Sequence, residues 1–201
     1  MKKLLLSTAL CASMMFAANS DYKYEITPMI AGTYAEGNLS LDQNYANAGL
    51  SFGINLDDSM FDQIELGFLR TIEDVDYENS TKDTGITRFF ANLIKEYELT
   101  SSTSLYALAG AGIELFDNQD FQNENGLFGN YGFGVKYQIT DDIALKADLR
   151  HLIEIDNGDN NLIYTVGLAI PFGKKAAPSP KTETKEVTPV KTETKPMEKD
   201  S

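Results

Sequence analysis

Cysteine and histidine are nearly absent from the sequence. The only cysteine is Cys11, within the first twenty residues, and the only histidine is His151. Beyond residue 20 the chain therefore has no disulfide and no thiol nucleophile, and it lacks the nitrogen and sulfur ligands that a zinc site needs. The paired nucleophile and base of a hydrolase are likewise not visible. We expect a protein that is not an enzyme and holds no cofactor.

Long apolar runs and basic side chains are also scarce. No stretch after residue 20 approaches the length of a membrane-spanning helix. Residues 21–173 contain 8 basic against 25 acidic side chains, a net charge of −17. Because phosphate binding rests on lysine and arginine, we exclude DNA and RNA as partners.

The first twenty residues, MKKLLLSTALCASMMFAANS, have the pattern of a secretory signal peptide. Two lysines precede an apolar run from Leu4 to Ala18, and small residues stand at Ala18 and Ser20. The run is shorter than the roughly 18 to 20 residues of a membrane anchor, and Cys11 lacks the preceding small residue of a lipoprotein signal. We predict that residues 1–20 are removed on export.

The rest of the chain repeats one pattern: segments of about ten residues in which apolar side chains alternate with small or polar ones. Residues 45–56 show it most clearly, with Ala46, Ala48, Leu50, Phe52, Ile54 and Leu56 on one face. A period of two is that of a β-strand. Seven further segments carry Ile30, Leu66, Ala91, Ala109, Phe133, Ala147 and Leu168 on their apolar faces. Eight strands are predicted.

The opposite faces of these segments are charged, which indicates where each face points. A soluble barrel turns its apolar faces inward, whereas a membrane barrel turns them to lipid and encloses polar side chains. Lys23 lies on the charged faces, together with a set that we name the lumen charge network: Glu25, Glu65, Arg88, Glu96, Glu114, Lys136, Lys146, Asp148, Arg150 and Glu154. We predict an all-β fold over residues 21–173, an eight-stranded antiparallel up-and-down transmembrane β-barrel; a soluble barrel is the alternative.

The interior of such a barrel is expected to be closed, because eight strands enclose only enough space for side chains to fill. A hairpin turn about residue 141 sets Lys136 opposite Lys146, so carboxylates such as Glu25 and Glu65 should approach from across the lumen. Burying one partner without the other costs several kcal/mol, which favours pairing. We expect the network to brace and close the barrel; a gated path for small ions is the alternative.

Loop lengths predict the orientation, because membrane barrels have short periplasmic turns and long extracellular loops. Short connections lie near residues 57–59, 100–103 and 140–142, and long ones at 35–44, 73–85, 117–126 and 156–161. The long loops hold twelve acidic side chains and one basic side chain, Lys82. The candidate contact residues for a host-matrix protein or for divalent cations are Glu73, Asp74, Asp76 and Glu78. No EF-hand spacing is present.

Two features lie near the C-terminal end. Thr165, Gly167, Ile170 and Phe172 follow a pattern that resembles the closing-strand signal of the outer-membrane barrel assembly machinery. From Lys174 the chain becomes rich in proline, lysine, threonine and glutamate, and KTETK occurs at 181–185 and again at 191–195. We predict a disordered periplasmic tail over 174–201, and a tether to peptidoglycan is its alternative role.

Several stretches resemble a known family. The eight-strand plan, the AIPFG that closes the last strand and the proline-rich segment after it are similar to the N-terminal barrel of OmpA-family proteins. The stretches YEITPMI, EGNLSLD, FDQIELGF, GITRFF, YALAGAGIELF and YGFGVKYQITDDIALKADLR resemble the campylobacter-type fibronectin-binding adhesin and porin branch. We expect the family's C-terminal peptidoglycan-binding domain to be missing. The Phe-Arg-Leu-Ser element of that branch corresponds here to Tyr137-Gln138-Ile139-Thr140.

The resemblance implies a place in the outer membrane, in contact with lipid and lipopolysaccharide. It also implies a structural and surface-contact role that is adhesin-like. A small gated porin is the alternative, and an outer-membrane lipid-modifying enzyme is a weaker one.

Overall fold

The computed structural model describes residues 21–35, 41–119, 124–155 and 158–175. The predicted signal peptide and all of the predicted tail after Lys175 lie outside these residues. Within the described ranges no helix is long and apolar enough to cross a bilayer. The regular structure in these ranges consists of ten β-strands.

Eight long antiparallel strands close into one barrel, as the alternation predicts. They are β1 (Tyr22–Ala35), β2 (Asn44–Asn55), β3 (Gln63–Thr71), β6 (Ile86–Thr100), β7 (Thr103–Phe116), β8 (Gly126–Thr140), β9 (Ile143–Glu154) and β10 (Asn160–Lys174). Each pairs with its neighbour along the chain, and β1 pairs with β10 to complete the ring. Two strands of two residues each, β4 (Val75–Asp76) and β5 (Asp83–Thr84), form a hairpin in the connection between β3 and β6.

The two faces of the barrel wall differ sharply in burial. Charged residues such as Glu65 and Arg88 face the interior and are each 1% exposed. Large apolar side chains point outward, where Ile30 is 64% exposed and Phe133 is 67% exposed. A water-soluble protein would bury these apolar side chains, so the wall is built for a hydrocarbon environment.

The two ends of the barrel differ in their connections. Three short connections lie at one end, between β2 and β3, β6 and β7, and β8 and β9; we call this the short-turn end. The other end, the long-loop end, carries the remaining connections and the β4–β5 hairpin. Asn79 turns that hairpin with a φ of 58°, a left-handed conformation that asparagine tolerates better than most residues.

Candidate functional site

The lumen charge network divides into two groups, and the lower group lies toward the short-turn end. Lys136 and Lys146 are directly opposed on β8 and β9. Glu25 on β1 accepts from both, at 2.8 Å from the Lys136 Nζ and 3.1 Å from the Lys146 Nζ. Glu96 accepts a further bond from Lys136 at 3.3 Å. The Glu25 carboxylate therefore bridges two neighbouring ammonium groups, and Glu96 supplies a second negative charge beside Lys136.

Arg150 continues the lower group toward the middle of the barrel. Its guanidinium pairs with Asp148 at 2.7 Å and with Glu65 at 3.2 Å. The Tyr106 hydroxyl donates to Asp148 at 2.7 Å, and the Asn92 amide donates to Glu65 at 2.9 Å. Since these side chains are buried, the hydrogen bonds offset a desolvation cost that would otherwise destabilise the barrel.

The upper group lies toward the long-loop end and centres on Arg88. Arg88 is 1% exposed and forms an ion pair with Glu114. It also donates to the Tyr45 hydroxyl at 2.7 Å and to Thr33 Oγ1 at 3.4 Å. Glu154 is buried nearby and interacts with Glu114. One arginine thus faces two carboxyl groups at this level.

An apolar layer separates the two groups inside the barrel. Its members point into the lumen and pack together: Met29, Ala31, Leu69, Phe90, Phe128, Leu152 and Ile163. The Arg150 guanidinium lies 4.9 Å from the centre of the Phe90 ring, which places the lower group directly against this layer. The remaining cavity there is about 10 Å³, about the space of one water molecule at most. The alternation did not reveal this layer, because it predicts only which face a residue is on.

A second apolar cluster covers the long-loop end, and we call it the apolar cap. It consists of Ala35, Leu41, Val75, Tyr77, Ile86 and Phe116. The β4–β5 hairpin supplies Val75 and Tyr77, and the Tyr77 hydroxyl donates to the Asn118 carbonyl at 2.7 Å. A backbone bond from Asp42 to the Asp76 carbonyl, at 3.0 Å, joins the first long loop to the hairpin. The hairpin therefore lies folded over the barrel mouth.

The short-turn end remains open and contains a polar vestibule of about 530 Å³. Glu25, Glu96 and Lys136 line its inner part, and Glu98 and Lys174 line its rim. Lys23, which the alternation places on the inward face, is exposed instead. It is the second residue of β1, so its side chain lies at the edge of the barrel rather than within the enclosed lumen.

The four candidate contact residues project from the hairpin region into solvent. Glu73, Asp74, Asp76 and Glu78 are all exposed. Val75 and Tyr77, which alternate with them, are 3% and 1% exposed. The same alternation that buries the apolar cap therefore displays the carboxylates. Residues 36–40, 120–123 and 156–157 of the other long loops lie outside the described ranges.

The four residues of the predicted assembly signal lie on β10, two on its inward face and two on its outward face. Thr165 is buried on the inward face and is the cross-strand partner of Asp148 on β9. A side chain at Gly167 would collide with Thr27 and the backbone of Pro28. Ile170 and Phe172 point outward. The Phe172 ring lies 5.5 Å from that of Tyr24 and 6.1 Å from that of Phe52.

His151 lies on the outer wall near the long-loop end. Its Nδ1 is 2.9 Å from the Tyr131 hydroxyl and its Nε2 is 3.0 Å from Asn160 Oδ1. Both ring nitrogens thus have neutral partners. In the part of the chain that the structure describes, no three or more Asp, Glu, His or Cys side chains are grouped to hold a metal ion.

Solved structures share this architecture at low sequence identity. Neisserial surface protein A matches with a TM-score of 0.58 and 15% identity over 75% of this chain and 97% of its own. The attachment invasion locus protein Ail of Yersinia pestis matches with a TM-score of 0.55 and 16% identity over 76% of this chain and 100% of its own. Ail in complex with the heparin analogue sucrose octasulfate gives 0.53 and 17%, over 74% of this chain and 97% of its own. These matches show the fold alone.

Curated protein sequences give no match to this chain. The sequence profile of the outer membrane protein beta-barrel domain, in contrast, matches residues 4–172. That range contains all of the barrel except the last two residues of β10. The chain therefore belongs to the outer membrane protein β-barrel domain family.

Proposed function

We propose that this protein is a closed outer-membrane barrel with a structural role in the envelope and an adhesin-like role in surface contact. The observation that carries the proposal is the contrast between a filled lumen and an exposed acidic hairpin. In bacterial outer-membrane barrels the short turns face the periplasm and the long loops face outward. The acidic hairpin then lies on the cell surface.

The filled lumen favours a structural role over conduction. An ion entering from the vestibule would meet the lower charge group, then the apolar layer, then the upper charge group, then the apolar cap. The cavity at the apolar layer is only about 10 Å³, too small for a hydrated ion, and stripping an ion of its water in a largely apolar environment is costly. The network that closes the lumen also links strands far apart in the sequence, which braces the wall.

The exposed hairpin supports surface contact with a cationic partner. Glu73, Asp74, Asp76 and Glu78 share their loop with one basic residue, Lys82. Carboxylates at this density attract basic patches of host-matrix proteins, directly or through bridging divalent cations. The heparin analogue bound by Ail is a polyanion, and the same ligand would be repelled by this hairpin.

An export signal and two further partners belong to this proposal. The signal peptide over residues 1–20 directs export, and the barrel assembly machinery recognises the last strand through Thr165, Gly167, Ile170 and Phe172. Peptidoglycan is the candidate partner of the tail. A small gated porin is the second candidate function, favoured by the open vestibule of about 530 Å³.

Two measurements on one refolded preparation test the proposal. The first is ion conductance in a planar bilayer, and the second is binding to immobilised host-matrix proteins across a range of salt concentrations. We expect no steady conductance. We expect the binding to weaken as added salt shortens the electrostatic screening length, which is roughly 8 Å at physiological ionic strength. Steady conductance without binding would overturn the proposal in favour of the porin.

A further inference from the structure

A groove on the outer wall is the feature that the proposed function leaves unexplained. It crosses β10, β1 and β2, has a volume of about 410 Å³, and is lined mainly by apolar groups. Its principal lining residues are Ile30, Gly32, Ala46, Ile72, Tyr164 and Val166. A recess of this size in the wall has a local cause.

The cause is a pair of small residues flanked by large ones. Gly32 on β1 is paired with Ala46 on β2 and with Tyr164 on β10. The Tyr164 ring lies over Gly32 so closely that a methyl group at Gly32 would overlap it. Ile72, whose amide donates to the Ala46 carbonyl at 2.9 Å, forms the far wall. The recess therefore lies above Ala46, between Tyr164 and Ile72.

The position of the groove determines what surrounds it. Gly32 is three residues before the end of β1 at the long-loop end, so the groove lies in the half of the wall that faces the outer leaflet. Ile30 and Ile72 are 64% and 59% exposed in this region. The groove therefore opens into hydrocarbon. In the outer leaflet of a bacterial outer membrane, that hydrocarbon consists of the acyl chains of lipid A, the membrane anchor of lipopolysaccharide.

Two polar groups distinguish the groove from an ordinary apolar depression in the outer wall. The Tyr164 hydroxyl lies over Gly32, and the Asn44 side chain lines the groove at the end of β2 nearest the loops. Neither side chain has a hydrogen-bond partner among the described residues. A polar group at the edge of hydrocarbon is stabilised when it finds a partner. The ester and amide groups that join acyl chains to the lipid A sugars supply such partners.

We infer that this groove binds one acyl chain of lipid A, with the Tyr164 hydroxyl and the Asn44 amide hydrogen-bonding to the linkage at the head of the chain. Bulk lipid is as apolar as the groove, so burial from water does not drive the binding. The preference of the groove for lipid A over bulk lipid comes instead from packing around one acyl chain and from the two hydrogen bonds. The inference rests on the proposed orientation, with the long loops outward, but makes no use of the acidic hairpin, so it can be tested separately from the adhesin-like role.

The test compares a variant that fills the groove with one that adds the same bulk elsewhere. Ala46→Phe places a ring in the recess, whereas Ala111→Phe adds it to another outward-facing position outside the groove. Lipid A bound per barrel is measured by native mass spectrometry after extraction in mild detergent. We expect Ala46→Phe to lower the bound lipid A by about fivefold, the equivalent of losing a modest packing contact, and Ala111→Phe to leave it unchanged.

A third variant keeps the test decisive if Ala46→Phe does not fold, as judged by its gel migration before and after boiling. Tyr164→Phe retains the ring over Gly32 and removes only the hydroxyl, so it should also lower the bound lipid A. Equal retention by wild type and the folded groove variants would overturn the inference. Retention of phospholipid in place of lipid A would overturn it as well.

Discussion

Lys136 of β8 lies directly opposite Lys146 of β9, and the Glu25 carboxylate holds both ammonium groups, at 2.8 and 3.1 Å. Removing that carboxylate would leave two neighbouring buried cations with fewer partners. We expect Glu25→Gln to lower the free energy of unfolding by about 3 to 5 kcal/mol, the usual cost of breaking a buried pair. Urea unfolding of the refolded barrel, followed by gel migration, measures the change.

The matched control is Glu98→Gln, which removes an exposed carboxylate from the same end of the barrel. It should change the unfolding free energy by less than about 0.5 kcal/mol. A second check is the double variant Glu25→Gln with Lys146→Met, which should recover part of the loss. Equal stability of Glu25→Gln and wild type would show that the network does not brace the barrel.

Phe172 tests whether the last strand carries an assembly signal. The ring also packs against Tyr24 and Phe52, so a simple loss of packing has to be separated from a loss of recognition. We expect Phe172→Ala to lower the amount of barrel assembled in the membrane while export is unchanged. Phe52→Ala disturbs the same aromatic group without altering the last strand, and it should assemble nearly normally. Equal defects in the two variants would assign the effect to packing.

The acidic hairpin provides the third prediction. Replacing Glu73, Asp74, Asp76 and Glu78 with their amides should leave folding intact and should not create a conductance, because these side chains are exposed and lie outside the lumen. Any adhesion or calcium binding should fall and lose its dependence on salt. Amide replacements at Asp58, Glu98 and Asp141, exposed at the other end, are the control. Unchanged adhesion, together with a conductance in the wild type that the amide replacements alter, would favour the porin instead.

Tyr77 tests how firmly the hairpin closes the barrel mouth. The ring is 1% exposed in the apolar cap, and its hydroxyl donates to the Asn118 carbonyl. We expect Tyr77→Ala to loosen the hairpin, so that trypsin cleaves after Lys82 faster than in wild type, with Tyr77→Phe in between. Conductance should stay absent in both, because the apolar layer lies beneath the cap. Conductance in Tyr77→Ala would instead identify the hairpin as a gate.

Local patterns predicted the wall of the barrel well. The alternation over residues 45–56 corresponds to β2, which runs from Asn44 to Asn55. The opposition of Lys136 and Lys146 follows from the position of one tight turn. Such features depend on residues close together in the sequence. The alternation of apolar and polar residues with a period of two therefore reveals them directly.

Features that depend on contacts between distant strands were not predictable in this way. The apolar layer requires Leu69, Phe90 and Phe128 to meet at one height in the lumen, which depends on the stagger of all eight strands. The β4–β5 hairpin has strands of two residues each, too short for a period to be visible. The groove exists because Tyr164 pairs with Gly32, a contact between the last strand and the first.

The ion pairs of Glu25 also bear on how the barrel closes. Lys136 and Lys146 lie 111 and 121 residues further along the chain, so these bonds form only when β1 is brought into place against β10. A slip of one residue in that final pairing would turn Glu25 toward lipid and leave Lys136 and Lys146 in the lumen with fewer partners. A barrel closed in the wrong register would therefore lack these ion pairs and would be less stable than the correctly closed barrel.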